Sequence, residues 1–151
     1  MIEILIRMMT ENDLDQILAI ENVSFPTPWS RNSFLNELKN PLAIYLVVDL
    51  DGEVGGYAGV WIVFEEAHVT NVAVRSDLRG NQLGELMLSK LEEVAMANQC
   101  ERIMLEVRPS NHAARSLYTR MGFAQEGVRK KYYLDNDEDA LIMSKKLIER
   151  E

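Results

Sequence analysis

A short loop with two glycines joins a β-branched run to an amphipathic run, and its residues are well suited to hold an anion. The stretch reads V-A-V-R-S-D-L-R-G-N-Q-L-G-E-L, with Gly80 and Gly84 in the loop, and predicts a strand, a tight turn and a helix. A helix N-terminus has free backbone N–H groups and a partial positive charge, so this loop could bind phosphate oxygens. Glycines at such a turn can also serve tight geometry alone, which leaves both interpretations open.

Two other signals of ligand chemistry are weak. The loop lacks the Gly-Lys-Ser/Thr ending of a P-loop, which argues against nucleotide hydrolysis. His68 and His112 have no partners at metal-ligand spacing, and Cys100 is the single cysteine of the chain. We therefore expect no metal.

Composition limits the class of protein. A chain of 151 residues with 47% hydrophobic content can build one sizeable core, so we expect one domain over residues 1–151. The net charge of −8 argues against direct nucleic-acid binding but suits a basic partner. The single cysteine, the lack of a signal-like start and the lack of a long apolar run predict a cytoplasmic protein that does not enter a membrane.

The elements that must position the loop follow from apolar spacing, caps and turn residues. Thr10 and Asp13 form a capping-box-like helix start, and Asp51-Gly52 is a hairpin signal. Strands are predicted over Ile2–Arg7, Ala43–Asp49 and Glu53–Phe64, after Glu65-Glu66, and over Arg102–Arg108, Gly127–Tyr133 and Ala140–Leu147. Helices are predicted from Thr10 to before Pro26, from Ser30 to Leu38, and over Glu85–Asn98 and Asn111–Met121, with Gly122 as a left-handed C-terminal cap.

This order combines an antiparallel front half with a strand-helix-strand crossover in the second half, which predicts an α+β fold. Where the two halves meet, neighbouring strands can separate, and we expect the ligand cleft there. The loop F-P-T-P-W-S carries Phe25 and Trp29 on a backbone that its prolines restrict. These two aromatic side chains either close the core under the loop or form a wall for a substrate.

Six motifs in order resemble the GCN5-related N-acetyltransferase (GNAT) superfamily, and more closely its ribosomal-protein-alanine N-acetyltransferases. They cover nearly the whole chain and read F-P-T-P-W-S, T-N-V-A-V, L-E-V-R-P-S-N, L-Y-T-R-M-G-F, R-K-K-Y-Y and E-D-A-L-I-M. The resemblance implies a mixed, mostly antiparallel sheet that opens into a V and holds acetyl-CoA between its halves. It implies cofactor contacts from Val72, Ala73, Val74, Arg79, Gly80, Asn81, Gln82, Leu83, Gly84, Glu85 and Asn111.

Two residues depart from the pattern of the superfamily's phosphate loop. Gln82 stands where the signature has its first glycine, and Glu85 replaces a common basic residue. If Gln82 needs a positive φ, its side chain costs about 1–2 kcal/mol, whereas a negative φ would cost little. Glu85 suits a helix N-terminus but repels phosphate.

The resemblance also implies roles in acetyl transfer. Glu106 corresponds to the family's catalytic glutamate and is the candidate base, acting through water or with a pKa raised by burial, since a free carboxyl near ~4.3 suits an amine near ~8 poorly. Tyr118 is the candidate acid for the departing thiolate. We expect the cofactor's thioester to lie beside both residues.

The expected reaction is direct transfer in a ternary complex, from acetyl-CoA to the N-terminal α-amine, alanine in particular, of a ribosomal protein. An α-amine near pKa ~8 is neutral in a useful fraction at pH 7, which a lysine near ~10.4 is not. Two alternatives stay open: a small-molecule amine as acceptor, or a non-catalytic acyl-CoA-binding module. Candidates for a groove that receives a peptide end are Phe25, Trp29, Tyr132 and Tyr133.

Overall fold

Seven strands form one mixed sheet in the part of the chain that the structure, a computed structural model, describes: residues 3–80 and 82–148. The strands are β1 (Ile4–Met8), β2 (Ala43–Leu50), β3 (Glu53–Val63), β4 (Glu66–Val74), β5 (Arg102–Val107), β6 (Ala124–Arg129) and β7 (Ala140–Lys146). The helices are α1 (Leu14–Ser24), α2 (Arg31–Leu38), α3 (Leu83–Ala97) and α4 (His112–Arg120).

The spatial order of the strands is β1-β2-β3-β4-β5-β7-β6, and every neighbouring pair except β4 and β5 is antiparallel. The predicted α+β class, with a mixed and mostly antiparallel sheet, is therefore confirmed. The antiparallel front half is β1 to β4, and the crossover through α3 brings β5 parallel to β4.

The sheet opens where its two halves meet. Strands β4 and β5 are in register only from Glu66–Arg102 to His68–Met104, although both strands continue beyond these pairs. Past His68 the facing edges of the two strands are therefore not paired with each other. The separation of strands that the sequence predicted at this junction is present.

Two apolar clusters cover the two faces of the sheet. On one side, which we call the α3 face, Leu88 and Leu91 of α3 pack with Ile103 and Leu105 of β5. On the other side, the α1 face, Ile17 and other apolar residues of α1 and α2 pack against β2 and β3. Because side chains alternate along a strand, residues of β5 between those of the α3 face point toward the α1 side.

A β-bulge changes this alternation in β4. Val60 pairs with Val69 and Gly59 with Asn71, which leaves Thr70 as an extra residue. After the bulge, Ala73 packs in the cluster of the α1 face, while Val72 and Val74 pack against that of the α3 face. The bulge therefore re-aims the last residues of β4, next to the gap between the strands.

Local signals in the front half are confirmed. Thr10 and Asp13 form the capping box, and α1 ends at Ser24, before Pro26. The Ser30 hydroxyl accepts a hydrogen bond from the Ser33 backbone N–H at 3.1 Å and caps α2. Asp51 and Gly52 both have positive φ, 52° and 95°, as a tight hairpin turn requires.

The predicted strand Gly127–Tyr133 is wrong in its bounds, because β6 covers Ala124–Arg129 and both tyrosines lie in the following loop. Lys131 has a φ of 49°, which ends the extended conformation. Its backbone N–H donates to Asp139 Oδ1 at 2.9 Å, and that of Tyr133 donates to the Glu138 carbonyl at 3.1 Å. These backbone donors are satisfied within the β6–β7 connection. The first strand begins at Ile4, and its predicted start, Ile2, lies outside the described residues.

A buried carboxylate ties the loop after α1 to the sheet. Glu21 is 1% exposed, and its Oε2 accepts a hydrogen bond from the Trp29 backbone N–H at 2.9 Å. The Tyr57 hydroxyl of β3 donates to the other oxygen, Oε1. Burial, together with this acceptor, raises the pKa of Tyr57, so the phenol stays a donor.

We expect Glu21→Ala to lower the free energy of unfolding by about 2–3 kcal/mol, because it leaves two buried donors without an acceptor. The matched control is Asn22→Ala at the next, exposed position of α1, which should change stability by less than about 0.5 kcal/mol. Urea unfolding measures both changes in the free energy of unfolding, with the slope of that free energy against urea concentration (m) equal for all variants. Equal effects of the two substitutions would contradict the role given to Glu21.

Candidate functional site

A cleft of about 650 Å³ opens between the end of β4, the loop that follows it, the end of α1 and α4. All residues predicted to contact a cofactor line this cleft, except Asn81, which lies outside the described residues. The predicted residues at the cleft are Val72, Ala73, Val74, Arg79, Gly80, Gln82, Leu83, Gly84, Glu85 and Asn111. Leu117 and Tyr118 of α4 form the facing wall.

The loop before α3 uses two left-handed residues. Gly80 has a φ of 87°, and Gln82, at the N-cap position of α3, has a φ of 64° and a ψ of 15°. Gln82 therefore has the positive φ that makes a side chain costly at the signature's glycine position. Its side chain makes no capping hydrogen bond to the helix. The first-turn N–H groups of α3 have no partner within the helix, and Leu83, Gly84 and Glu85 of this turn line the cleft.

Charges at the cleft are mixed. Arg79 lines it and is held near β4 and α1, with its guanidinium 3.4 Å from the Val74 carbonyl and 3.3 Å from the Ser24 hydroxyl. Arg120 also lines the cleft, and Glu85 carries the opposing charge. Two cationic groups and a helix N-terminus outweigh one carboxylate, so the cleft suits an anionic ligand.

Asn111, the N-cap of α4, and Tyr118, near the other end of that helix, both line the cleft. Asn111 Oδ1 accepts a hydrogen bond from the Ala114 backbone N–H at 3.2 Å, so the side-chain amide nitrogen is the group left for a ligand. Tyr118 is buried, with its ring 5.9 Å from that of Phe123. Burial raises the pKa of Tyr118 to about 12, which keeps the hydroxyl protonated.

Glu106 lies on the other side of the sheet, in contact with a histidine. Its neighbours in β5, Leu105 and Val107, belong to the α3 face, so its side chain points toward the α1 side. Glu106 is 9% exposed, and its Oε2 lies 2.6 Å from His68 Nε2. Its Oε1 lies 3.9 Å from Arg129 Nε.

His68 is a site residue that the sequence did not identify, because it was weighed only as a metal ligand. It is the last residue of β4 in register with β5, so it stands where the strands separate. Because side chains alternate along a strand, the position of His68 between the buried Ala67 and Val69 could have predicted that it lies on the α1 side. Its contact with Glu106, however, depends on the register between two strands that are far apart in sequence.

Glu106 and Tyr118 extend from opposite faces of the sheet, and both affect the pKa of Tyr133. Burial is the main cause that raises the pKa of Tyr133 to about 12, partly opposed by the positive charge of Arg108. Tyr132, Glu106 and Tyr118 each raise it further by smaller amounts.

Arginines order the loop that carries Tyr132 and Tyr133. The Arg108 guanidinium lies 3.9 Å from the centre of the Tyr133 ring and pairs with Asp135 at 2.8 Å. Glu138 Oε2 accepts from the Ser110 backbone N–H at 2.8 Å, which ties the loop to the start of α4. Sequence reasoning did not identify Arg108, which is a strand-end residue without a motif role of its own.

The four residues predicted for a peptide groove fall into two pairs. Phe25 and Trp29 both pack against the cluster of the α1 face, and Phe25 also lines the cleft. The rings of Tyr132 and Tyr133 lie 5.0 Å apart, next to Arg129 and Arg108. The Trp29 ring packs on Phe34 at 5.3 Å, at the edge of the cluster on the α1 face. Of the two interpretations of the F-P-T-P-W-S aromatics, core closure describes the contacts of Trp29.

Residues 3–80 and 82–148 contain no cluster of three or more His, Cys, Asp or Glu side chains arranged for a metal. In the same part of the chain, no helix combines the length and the apolar character needed to cross a bilayer.

Comparisons with known proteins identify the family of the chain. Residues 14–123 match the acetyltransferase (GNAT) family. A Bacillus subtilis protein with a provisionally assigned ribosomal protein bS18-alanine N-acetyltransferase activity is 45% identical over 139 residues, 91% of this chain and 92% of the relative. The Escherichia coli ribosomal protein bS18-alanine N-acetyltransferase is 33% identical over 143 residues, 92% of this chain and 95% of the relative.

The fold comparison gives the same family. The crystal structure of the ribosomal-protein-S18-alanine N-acetyltransferase from Escherichia coli superposes with a TM-score of 0.89 at 28% identity, covering 99% of this chain and 97% of the other. The protein therefore belongs to the acetyltransferase (GNAT) family and is an N-acetyltransferase.

Proposed function

We propose that the protein transfers the acetyl group of acetyl-CoA to the N-terminal α-amine, alanine in particular, of a ribosomal protein. The transfer is direct, within a ternary complex of enzyme, acetyl-CoA and peptide. The observation that carries this proposal is the gap between β4 and β5: the end of β4 lines an anion-binding cleft, and Glu106 lies on the part of β5 that is not paired with β4. Donor and acceptor can then approach each other from opposite sides of the sheet.

Acetyl-CoA fits the cleft in charge and in hydrogen bonding. The N–H groups at the start of α3, with Arg79, suit the pyrophosphate. The edge of Val72–Val74 that faces away from β3 is not paired with β5, so its backbone groups can pair with the amides of the pantetheine arm, with the Val74 carbonyl already contacted by Arg79. Asn111 supplies a side-chain donor beside them.

The reaction needs a neutral amine, a polarised carbonyl and a proton for the leaving thiolate. When acetyl-CoA is bound, it supplies the thioester. A base centred on Glu106 removes the proton from the α-ammonium group, directly or through a water. Tyr118 donates a hydrogen bond to the sulfur, because its hydroxyl stays protonated at the cleft wall.

The choice of acceptor rests on relatives and on charge. The two curated relatives carry the name of ribosomal protein bS18-alanine N-acetyltransferases. The loop with Tyr132 and Tyr133 borders the side of the sheet from which the amine approaches. A net charge of −8 attracts the basic tail of a ribosomal protein.

The direct experiment incubates the protein with acetyl-CoA and a peptide that begins with the first residues of bS18, followed by mass spectrometry. We expect one added acetyl group on the α-amine of alanine. One control is the same peptide with a blocked N-terminus and one lysine. The other control is a panel of small amines. Acetylation of the small amines alone would make the protein a small-molecule acetyltransferase, and no product with any amine would favour a non-catalytic acyl-CoA-binding module.

We expect Tyr118→Phe to lower kcat about 100-fold while acetyl-CoA affinity stays within about threefold, because the variant removes only the donor to the sulfur. With a Tyr118 pKa of about 12, the acid form is present throughout the range from pH 6 to 10, so the wild-type protein should lose no activity from its ionisation there. Steady-state kinetics and calorimetric titration with acetyl-CoA measure the two effects. A variant with unchanged kcat would remove Tyr118 from the mechanism.

We expect Gln82→Gly to bind acetyl-CoA equally well or more tightly, because glycine adopts a φ of 64° without strain and leaves more room at the pyrophosphate. The matched control is Gln99→Gly, the same change at another glutamine with positive φ (62°), beyond the far end of α3. It should leave the affinity unchanged. Weaker binding by Gln82→Gly alone would identify the glutamine as an adapted contact to the cofactor.

A further inference from the structure

The contacts of Glu106 leave little of this carboxylate open to a substrate. Its Oε2 is 2.6 Å from His68 Nε2, its Oε1 faces Arg129, and the side chain is 9% exposed. The His68 side chain is 34% exposed and stands at the point where β4 and β5 separate. The imidazole is therefore the more accessible member of the pair.

We propose that the base of this enzyme is a His68–Glu106 dyad, in which His68 takes the proton and Glu106 is its positioning residue. The inference rests on the proposed function and assigns the roles within its base. Glu106 Oε2 accepts the Nε2–H of His68 and so fixes the tautomer whose lone pair is on Nδ1. During attack, the N–H bond of the ammonium breaks and the proton moves to Nδ1, directly or through one water.

The step balances without a further reactant. An α-ammonium group loses two protons as it becomes an amide: the first moves to Nδ1, and the second goes to water as the amine's electron pair forms the new bond to the acetyl carbon. The bond from that carbon to sulfur breaks, and the sulfur leaves as a thiolate to which the Tyr118 hydroxyl donates. The imidazolium is held by the adjacent carboxylate and then gives its proton from Nδ1 to water. Because Nε2 keeps its proton throughout, the dyad returns to its starting tautomer after each turnover.

Proton affinity favours the imidazole over a lone carboxylate. Free imidazole side chains titrate near ~6.5 and free glutamate near ~4.3, against ~8 for an α-amine. Transfer of a proton from the amine to a carboxylate is therefore more strongly uphill than transfer to an imidazole, whose affinity is the closer match. A carboxylate that orients a histidine and stabilises the imidazolium is an arrangement used in several unrelated enzymes.

The charged groups near His68 and Glu106 do not interrupt the hydrogen bond between these two residues. Arg129 approaches Glu106 from β6, and Tyr133 is close enough to Glu106 for its charge to affect the phenol. Trp61, the register partner of His68 in β3, donates its indole N–H to Glu37 at 2.7 Å. Glu37 also accepts from Tyr45 at 2.8 Å, so this carboxylate is engaged on the far side of Trp61.

The test compares His68→Ala, Glu106→Gln and the double variant in acetyl-CoA and peptide kinetics. Each single change should lower kcat about 100-fold or more, with the KM for peptide and the affinity for acetyl-CoA within about threefold of wild type. The double variant should be no slower than the slower single one, because the two residues act as a unit. His112→Ala is the matched control: it removes the other histidine, which is exposed and does not line the cleft.

Two further measurements separate chemistry from a structural role. Free imidazole should restore part of the kcat of His68→Ala and none of that of His112→Ala. In ¹⁵N spectra of the wild-type protein near pH 8, His68 should show the Nε2–H tautomer, and Glu106→Gln should change the tautomer ratio while the His112 signals stay fixed. With two histidines in the chain, the signals are assigned by the alanine variants.

The outcomes distinguish this inference from the proposed function. If the wild-type protein acetylates alanine peptides and His68→Ala keeps kcat within threefold, the dyad is wrong and the function stands. If the fold-losses in kcat of the two single variants multiply in the double variant, the dyad is also wrong. If the wild-type protein acetylates no peptide, the proposed function fails, and the tautomer measurement still decides whether Glu106 positions His68.

Discussion

The parallel contact between β4 and β5 is short, and the rest of the site depends on that shortness. Three register pairs, ending at His68 and Met104, hold the two halves of the sheet together. Beyond them, each strand keeps its outer neighbour, β3 or β7, and loses its inner one. The backbone groups on the inner edge of β4 need partners, and an amide-containing ligand in the gap can provide them.

The same gap explains why the candidate catalytic groups come from opposite faces. A closed sheet would separate Tyr118, which packs in the core of the α3 face, from Glu106, which points to the α1 side. At the junction, β4 and β5 are not paired beyond His68 and Met104, so the sheet is open between its two faces there. The bulge at Thr70 adds to this effect, because it turns Ala73 to the α1 side and keeps Val72 at the cleft.

Sequence reasoning succeeded where a residue's conformation is set by its immediate neighbours. The Asp51-Gly52 turn, the Ser30 cap and the left-handed Gly122 follow from local backbone preferences. The end of β6 was missed because it depends on side chains from elsewhere, such as Arg108, which holds the loop of Tyr133 from β5. The cleft residues were found through motif order, whereas the contact between His68 and Glu106 required the register of strands that are 38 residues apart at this contact.

Gln82 has a strained, left-handed backbone conformation at the point where the loop enters α3. A left-handed N-cap turns the chain from the short helical turn after β4 into α3, and the first turn of the helix, whose N–H groups have no partner within it, lines the cleft. A side chain at this φ costs about 1–2 kcal/mol in general. That cost is small beside the packing of Leu83, Met87 and Leu91, which are buried on the α3 face and anchor the helix to the sheet. The loop's shape is therefore maintained by the core beneath it, and the glycine usual at this position is a preference rather than a requirement.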